Sequence, residues 1–110
     1  MSITAQRKTE LDEKCRQFRR DVLTVLHKVQ TGHPGGSLSV CEILAAIYLE
    51  KGNIRGEAPQ DPDRDKVVLC KGHAAPMLYR LLAEKGFFPL EELDTLRQLG
   101  SDLQGHPCSA

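Results

Sequence analysis

The stretch Thr31-Gly32-His33-Pro34-Gly35-Gly36-Ser37 constrains this chain more than any other. Three glycines and a proline within seven residues cannot carry a helix through, so the backbone is expected to turn here. Helical patterns run up to it on one side and away from it on the other. A single histidine stands at its centre, among residues that let a ligand approach the backbone closely. Two more histidines have similar settings, Lys71-Gly72-His73 and Gly105-His106-Pro107. The expectation is that these three turns converge on one site.

Upstream of the turn, Leu11, Cys15, Phe18, Val22, Val25, Leu26 and Val29 form one apolar stripe of helical period. This predicts a helix from Thr9 to the stop at Gly32, with residues 1–8 a disordered terminus and His27 a partly exposed helix residue. Downstream, Ser39 followed three residues later by Glu42 has the form of a capping box and predicts the start of a second helix. Val40, Ile43, Leu44, Ile47, Tyr48 and their neighbours make that helix apolar over much of its circumference, so it is expected to be buried on more than one side. Gly52 ends it. Residues 52–65, rich in glycine, proline and charge, read as an exposed connection. Val67-Val68-Leu69-Cys70 reads as a short strand buried on both faces, as in a parallel sheet. A third helix opens at Gly72-His73-Ala74-Ala75-Pro76 and runs to Lys85. A fourth begins at Pro89, with Glu91 and Glu92 in its first turn and Arg97 near its end, as the helix dipole favours.

A chain of 110 residues makes one domain at most. Fifteen basic and fifteen acidic residues give zero net charge, which excludes the broad basic footprint of a nucleic-acid binder or a polybasic membrane protein. The low aromatic content and lack of tryptophan argue against a base-stacking platform. Met1 to Lys8 contain no apolar core of a signal peptide, and no apolar run approaches the ~18 residues of a membrane span. A soluble, cytoplasmic protein is expected. Without a secretory signal, the four cysteines are not expected to form a disulfide framework. Cys15 and Cys41 fall on apolar helix positions. Cys70, His73, His106 and Cys108 are spaced unlike the usual zinc-ligand pairs, so no metal ligands are assigned in this chain.

The crossing from strand to helix at Cys70–Pro76 is where open α/β sheets bind ligands, near helix N–H groups that attract anions. Lys71, Gly72 and His73 hold that position, and a diphosphate is the natural guest. His33 and His106, each followed by proline, could exchange protons near neutral pH. No serine nucleophile elbow, Walker loop or dinucleotide fingerprint is present.

Gly32-His33-Pro34-Gly35-Gly36-Ser37, Asp63-Arg64-Asp65-Lys66-Val67-Val68-Leu69, Lys71-Gly72-His73-Ala74-Ala75 and Leu103-Gln104-Gly105-His106-Pro107 occur in one order. Together they closely resemble the N-terminal part of transketolase, in particular the type whose N-terminal section is a separate subunit. The resemblance covers nearly the whole chain from Leu11 onward. It implies the first part of a thiamine-diphosphate-binding α/β fold of parallel-sheet type, with about four helices and one clear strand in residues 1–110. It implies transfer of a two-carbon ketol unit between sugar phosphates. His73, with Gly72 and Lys71, would bind the cofactor diphosphate. His33 and His106 would be catalytic and substrate-binding, and Gly105 and Pro107 would shape the last loop.

Family members continue for well over another hundred residues in this domain. The Gly-Asp-Gly…Asn motif that binds Mg²⁺ and diphosphate has no match here, nor does the glutamate that activates the aminopyrimidine. The resemblance therefore implies a truncated N-terminal section, inactive alone. Its partner would be a C-terminal transketolase section or subunit, in a homodimer or a heterotetramer of subunits. Deoxyxylulose-phosphate synthase shares a glycine-histidine turn and is a rival within the class. A non-catalytic remnant that packs on a partner through its second helix is the rival outside it.

Overall fold

The computed structural model describes residues 4–30, 32, 34–101, 103 and 104. Helix α1, Ala5–Val29, begins four residues before the expected Thr9. Thr4 is its N-cap, with Oγ1 accepting from the Arg7 N–H at 3.0 Å. Arg7 also reaches across to the Glu50 carboxylate at 3.0 Å and the Leu49 carbonyl at 3.2 Å. That distant anchor holds a first turn the local pattern leaves frayed. The buried residues Cys15, Phe18, Val22, Val25 and Leu26 follow the predicted stripe. Gln30 ends the helix with φ +56°, its N–H bonded to the Leu26 carbonyl. Gly32, at φ +109°, makes the turn, and a Cβ there would meet Leu26 Cδ2 at 2.4 Å.

Helix α2, Pro34–Ala45, starts five residues before the predicted capping box. Pro34 supplies a helical φ at a first-turn position whose N–H would be unbonded anyway. Ser39 caps nothing: its hydroxyl donates to the Gly36 carbonyl at 3.1 Å. Glu42 pairs with Arg19 of α1 instead of closing a box. The helix widens into a π turn, Ala46–Lys51, closed by the Gly52 N–H on the Ile47 carbonyl at 2.7 Å. Ser37, Cys41, Leu44 and Ala45 are buried. Ile43 remains 63% exposed, so the second burial of this apolar helix is not supplied by the described residues.

The connection 52–65 is clasped at its ends: the Asn53 N–H donates to the Asp65 carboxylate at 2.6 Å, and the Asp65 N–H to the Asn53 carbonyl at 2.9 Å. The predicted strand at Val67–Cys70 is not formed, and no strand exists among the described residues. A ladder needs a neighbouring strand for its N–H and C=O groups, and none of these segments provides one. The segment keeps a strand's alternation nonetheless. Val67 and Leu69 are half-buried against the helices, while Val68 (85%) and Cys70 are exposed. One face is covered where two were expected.

A 3₁₀ turn, Gly72–Ala74, leads into helix α3, Ala75–Glu84, close to the predicted bounds. The fourth helix is a 3₁₀ turn, Leu90–Thr95. Leu93 and Leu96, three apart, are both buried, which suits the threefold repeat of that turn. Arg97 lies beyond it at φ +61°, so it does not end a helix as predicted.

The core lies where α1, α2 and α3 meet, built on Phe18, Val22, Cys41, Met77 and Leu81, with Leu96 closing one side. Arg80 is buried within it. Its Nε donates to Asp21 at 2.6 Å, its Nη1 to Glu84 at 3.2 Å, and its guanidinium lies 4.7 Å above the Phe18 ring. Glu84 also accepts from Lys14 at 3.0 Å. Burial pushes the Glu84 carboxyl upward, but the bonds and charges of Lys14 and Arg80 outweigh it and hold the group below its usual value. Among the described residues, no helix is long and apolar enough to cross a membrane.

Arg80→Ala should destabilise the fold by about 3 kcal/mol, measured by urea unfolding, because it leaves the partly buried Asp21 without a cation, leaves Glu84 with Lys14 alone and empties the space over Phe18. Glu84→Gln should cost about 1 kcal/mol at neutral pH. A depressed carboxyl stabilises above its unfolded pKa and loses that effect as pH falls, so the Glu84→Gln and parent curves should converge in acid. Burial, then the neighbouring Cys15, pushes the Cys41 thiol up to about 12, and burial also raises Cys15. Iodoacetamide at pH 8 should therefore alkylate the exposed Cys70 in the native protein, and reach Cys15 and Cys41 only after denaturation. Peptide mapping by mass spectrometry reads the order directly.

Candidate diphosphate site

The turn Lys71-Gly72-His73-Ala74 sits at the N-terminal end of α3, and its Ala74 N–H bonds back to the Lys71 carbonyl at 2.9 Å. Ala74 and Ala75 are fully buried, whereas Lys71 and His73 are exposed. Small residues at the start of α3 let it press against the first turn of α2. There a Cβ on Gly36 would stand 3.2 Å from Lys71 Cε and 3.9 Å from the backbone of His73 and Ala74. One residue on, the buried Ser37 Oγ accepts from the Met77 N–H at 3.3 Å, satisfying an N-terminal donor of α3 from another helix. Ser39 Oγ accepts from Lys71 Nζ at 2.6 Å.

Two of the three expected turns are thus brought together through Gly36, Ser37 and Ser39 on one side and Lys71 to Met77 on the other. Of residues 102–104, which precede the third, only Leu103 and Gln104 are described, and they meet α3. Leu103 is buried, and the Gln104 carbonyl accepts from the Tyr79 hydroxyl at 2.5 Å. Tyr79 lies six residues beyond His73, roughly 9 Å along the helix. His33, His106, Gly105 and Pro107 themselves lie outside the described residues, as does Cys108. His27 is exposed on the last turn of α1, as expected.

The chemistry of this corner fits an anion. It combines a primary ammonium, an imidazole, a glycine-lined approach and the positive end of a helix. A diphosphate has the charge to suit the ammonium, the imidazole and the helix dipole, while the first N–H groups of α3 are already bonded to Gly72 and Ser37. The described residues contain no group of three or more histidine, cysteine, aspartate or glutamate side chains able to hold a metal ion. Ser37 closes a turn expected to meet this corner, but nothing in the sequence marks its hydroxyl, or that of Ser39, as a bond to it. Ser39 carries a capping signal that local reading cannot distinguish from a tertiary bond.

The family described as "Transketolase, thiamine diphosphate binding domain" matches residues 11–110. A 6-deoxy-6-sulfo-D-fructose transketolase subunit from Clostridium sp. is 43% identical over 102 residues, covering 93% of this chain and 37% of that protein. Human transketolase is 36% identical over 102 residues, covering 93% of this chain and 16% of the human protein. An apulose-4-phosphate transketolase subunit from Phocaeicola vulgatus is 36% identical over 97 residues, covering 88% of this chain and 34% of that protein. The chain therefore spans between about a sixth and three-eighths of these relatives. In structure, transketolase from Leishmania mexicana superposes with a TM-score of 0.83 at 26% identity, over 88% of this chain and 15% of that one. The match therefore covers a small part of that protein, and among the described residues of this chain it is made by helices and turns. With the glycine-histidine turn packed on the first turn of α2, and a family match over nearly its whole length, this chain belongs to the transketolase family, as an N-terminal part of its thiamine-diphosphate-binding domain.

Proposed function

We propose that this chain is the N-terminal section of an enzyme that moves a two-carbon ketol unit from a ketose to an aldose sugar phosphate. One observation carries the reading: Lys71, Gly72 and His73 stand at the start of α3, against the glycine turn of α2, in a corner that suits a diphosphate. In this reading Lys71 and His73 hold the cofactor diphosphate, and Gly72 lets it approach the backbone. When bound, thiamine diphosphate supplies the electron sink for the carbanion of the transferred unit. His33 and His106 bind the sugar hydroxyls and exchange protons with them, as imidazoles do near neutral pH. Mg²⁺, when bound, would neutralise the diphosphate and would take its ligands from residues other than the described ones.

The section works with a C-terminal transketolase section or subunit. Two of the relatives bear the name of subunits, which supports a separately encoded partner. The exposed Ile43 and Val68 support a covering surface from outside these residues, whether the rest of the domain or another chain.

Calorimetry of the isolated 110-residue chain with Mg²⁺ and thiamine diphosphate should show no saturable binding, and micromolar affinity would refute the need for an external metal site. In the assembled enzyme, His73→Ala should weaken the cofactor by roughly tenfold, the value of one charge-assisted hydrogen bond. His106→Ala should lower kcat by about a hundredfold or more while sparing cofactor affinity. Equal effects of the two on cofactor binding would overturn this division of roles.

A further inference from the structure

Lys71 is an exposed lysine with an unusually defined environment. Its stem passes over Gly36, where a Cβ would come within 3.2 Å of Cε, so glycine lets the methylenes lie against α2. Its ammonium ends 2.6 Å from Ser39 Oγ. That hydroxyl is itself oriented: its proton points to the Gly36 carbonyl at 3.1 Å, which turns its lone pairs toward Lys71. The three groups form a directed chain, from ammonium to hydroxyl to helix carbonyl. A lysine without such a partner spreads its charge over many rotamers and loses that freedom only when a ligand arrives.

We propose that Ser39 is a positioning residue that fixes the Lys71 ammonium beside the Gly72–His73 turn, ready to meet the negative charge of a bound diphosphate. The proposal rests on the reading of that turn as the diphosphate seat and adds to it a device that orders the charge in advance. Ser39 itself makes no contact with the cofactor. It acts through Lys71, and Gly36 leaves room for the stem.

The test is a double-mutant cycle in the assembled enzyme, with the dissociation constant of thiamine diphosphate measured at saturating Mg²⁺ over a range of ionic strength. Ser39→Ala should weaken the cofactor about three- to tenfold, the worth of one hydrogen bond. Lys71→Met should weaken it at least as much and flatten the dependence on salt. Adding Ser39→Ala to Lys71→Met should cause no further loss, and Ser39→Thr, which keeps the hydroxyl, should restore affinity. Additive losses, or a silent Ser39→Ala, would overturn the proposal.

A second readout needs no cofactor. Acetylation of Lys71 by acetic anhydride, mapped against Lys66 in the same digest, should accelerate about threefold in Ser39→Ala. An unchanged ratio would overturn the positioning. His73→Ala separates the diphosphate seat from the device that orders its charge. If it weakens the cofactor while Lys71→Met does not, the positioning role fails and the seat stands. If both are silent, the seat itself is wrong and the proposal falls with it.

Discussion

The fold depends on α3 entering, N-terminus first, between α1 and α2. Seven consecutive residues, Ala75 to Leu81, are buried, so the helix has no solvent side over its first two turns. Water cannot then satisfy the N–H groups left unbonded at its start. Pro76 removes one such donor, and the Ser37 hydroxyl of α2 accepts another from Met77. The 3₁₀ turn before it supplies a tighter bond from Ala74 to Lys71. The helix can be buried only because its neighbour presents glycine and serine where larger residues would hold the two apart.

Arg80 shows the same requirement for charge. A guanidinium this deep is costly unless each face and edge is used. Its plane lies on Phe18, and its edge reaches Asp21 and Glu84. Lysine could not do both, because its charge is a point and its donors have no plane. Lys14 then closes the circuit through Glu84. The network ties α1 to α3 on one side of the core, while the Ser37–Met77 bond ties α2 to α3 on the other. The candidate site stands at the second junction, so the backbone of Lys71 to His73 is held by the most buried part of the molecule.

Local periodicity makes the helices legible. The stripe of α1 and the course of α3 follow from it because each buries a single strong pattern. Features set by distant contacts are not legible. The first turn of α1 depends on Arg7 reaching Glu50, forty-three residues away. Serine and glutamate three apart resemble a cap and so point to Ser39 as the start of α2, whereas both side chains answer to Lys71 and Arg19. Leu93 and Leu96 give an apolar repeat without saying whether the turn is α or 3₁₀. At the site, the glycine settings of Lys71–His73 and of the Thr31–Ser37 turn rightly imply that their neighbours meet. The hydroxyls that join them are silent, since a serine's role is decided by its partner rather than its position.

The run Val67–Cys70 links this junction to whatever covers it. Val67 and Leu69 face the helices, and Val68 faces away beside an exposed Cys70. Covering Val68 and Ile43 is worth about 1.5–3 kcal/mol for each side chain, a large share of the stability of a domain this small. Any surface that pairs with this run must also fix its last residue, and the next residue is Lys71. A surface that covers Val68 and Ile43 would therefore stabilise the folded section by mass action, next to an ammonium that Ser39 already holds.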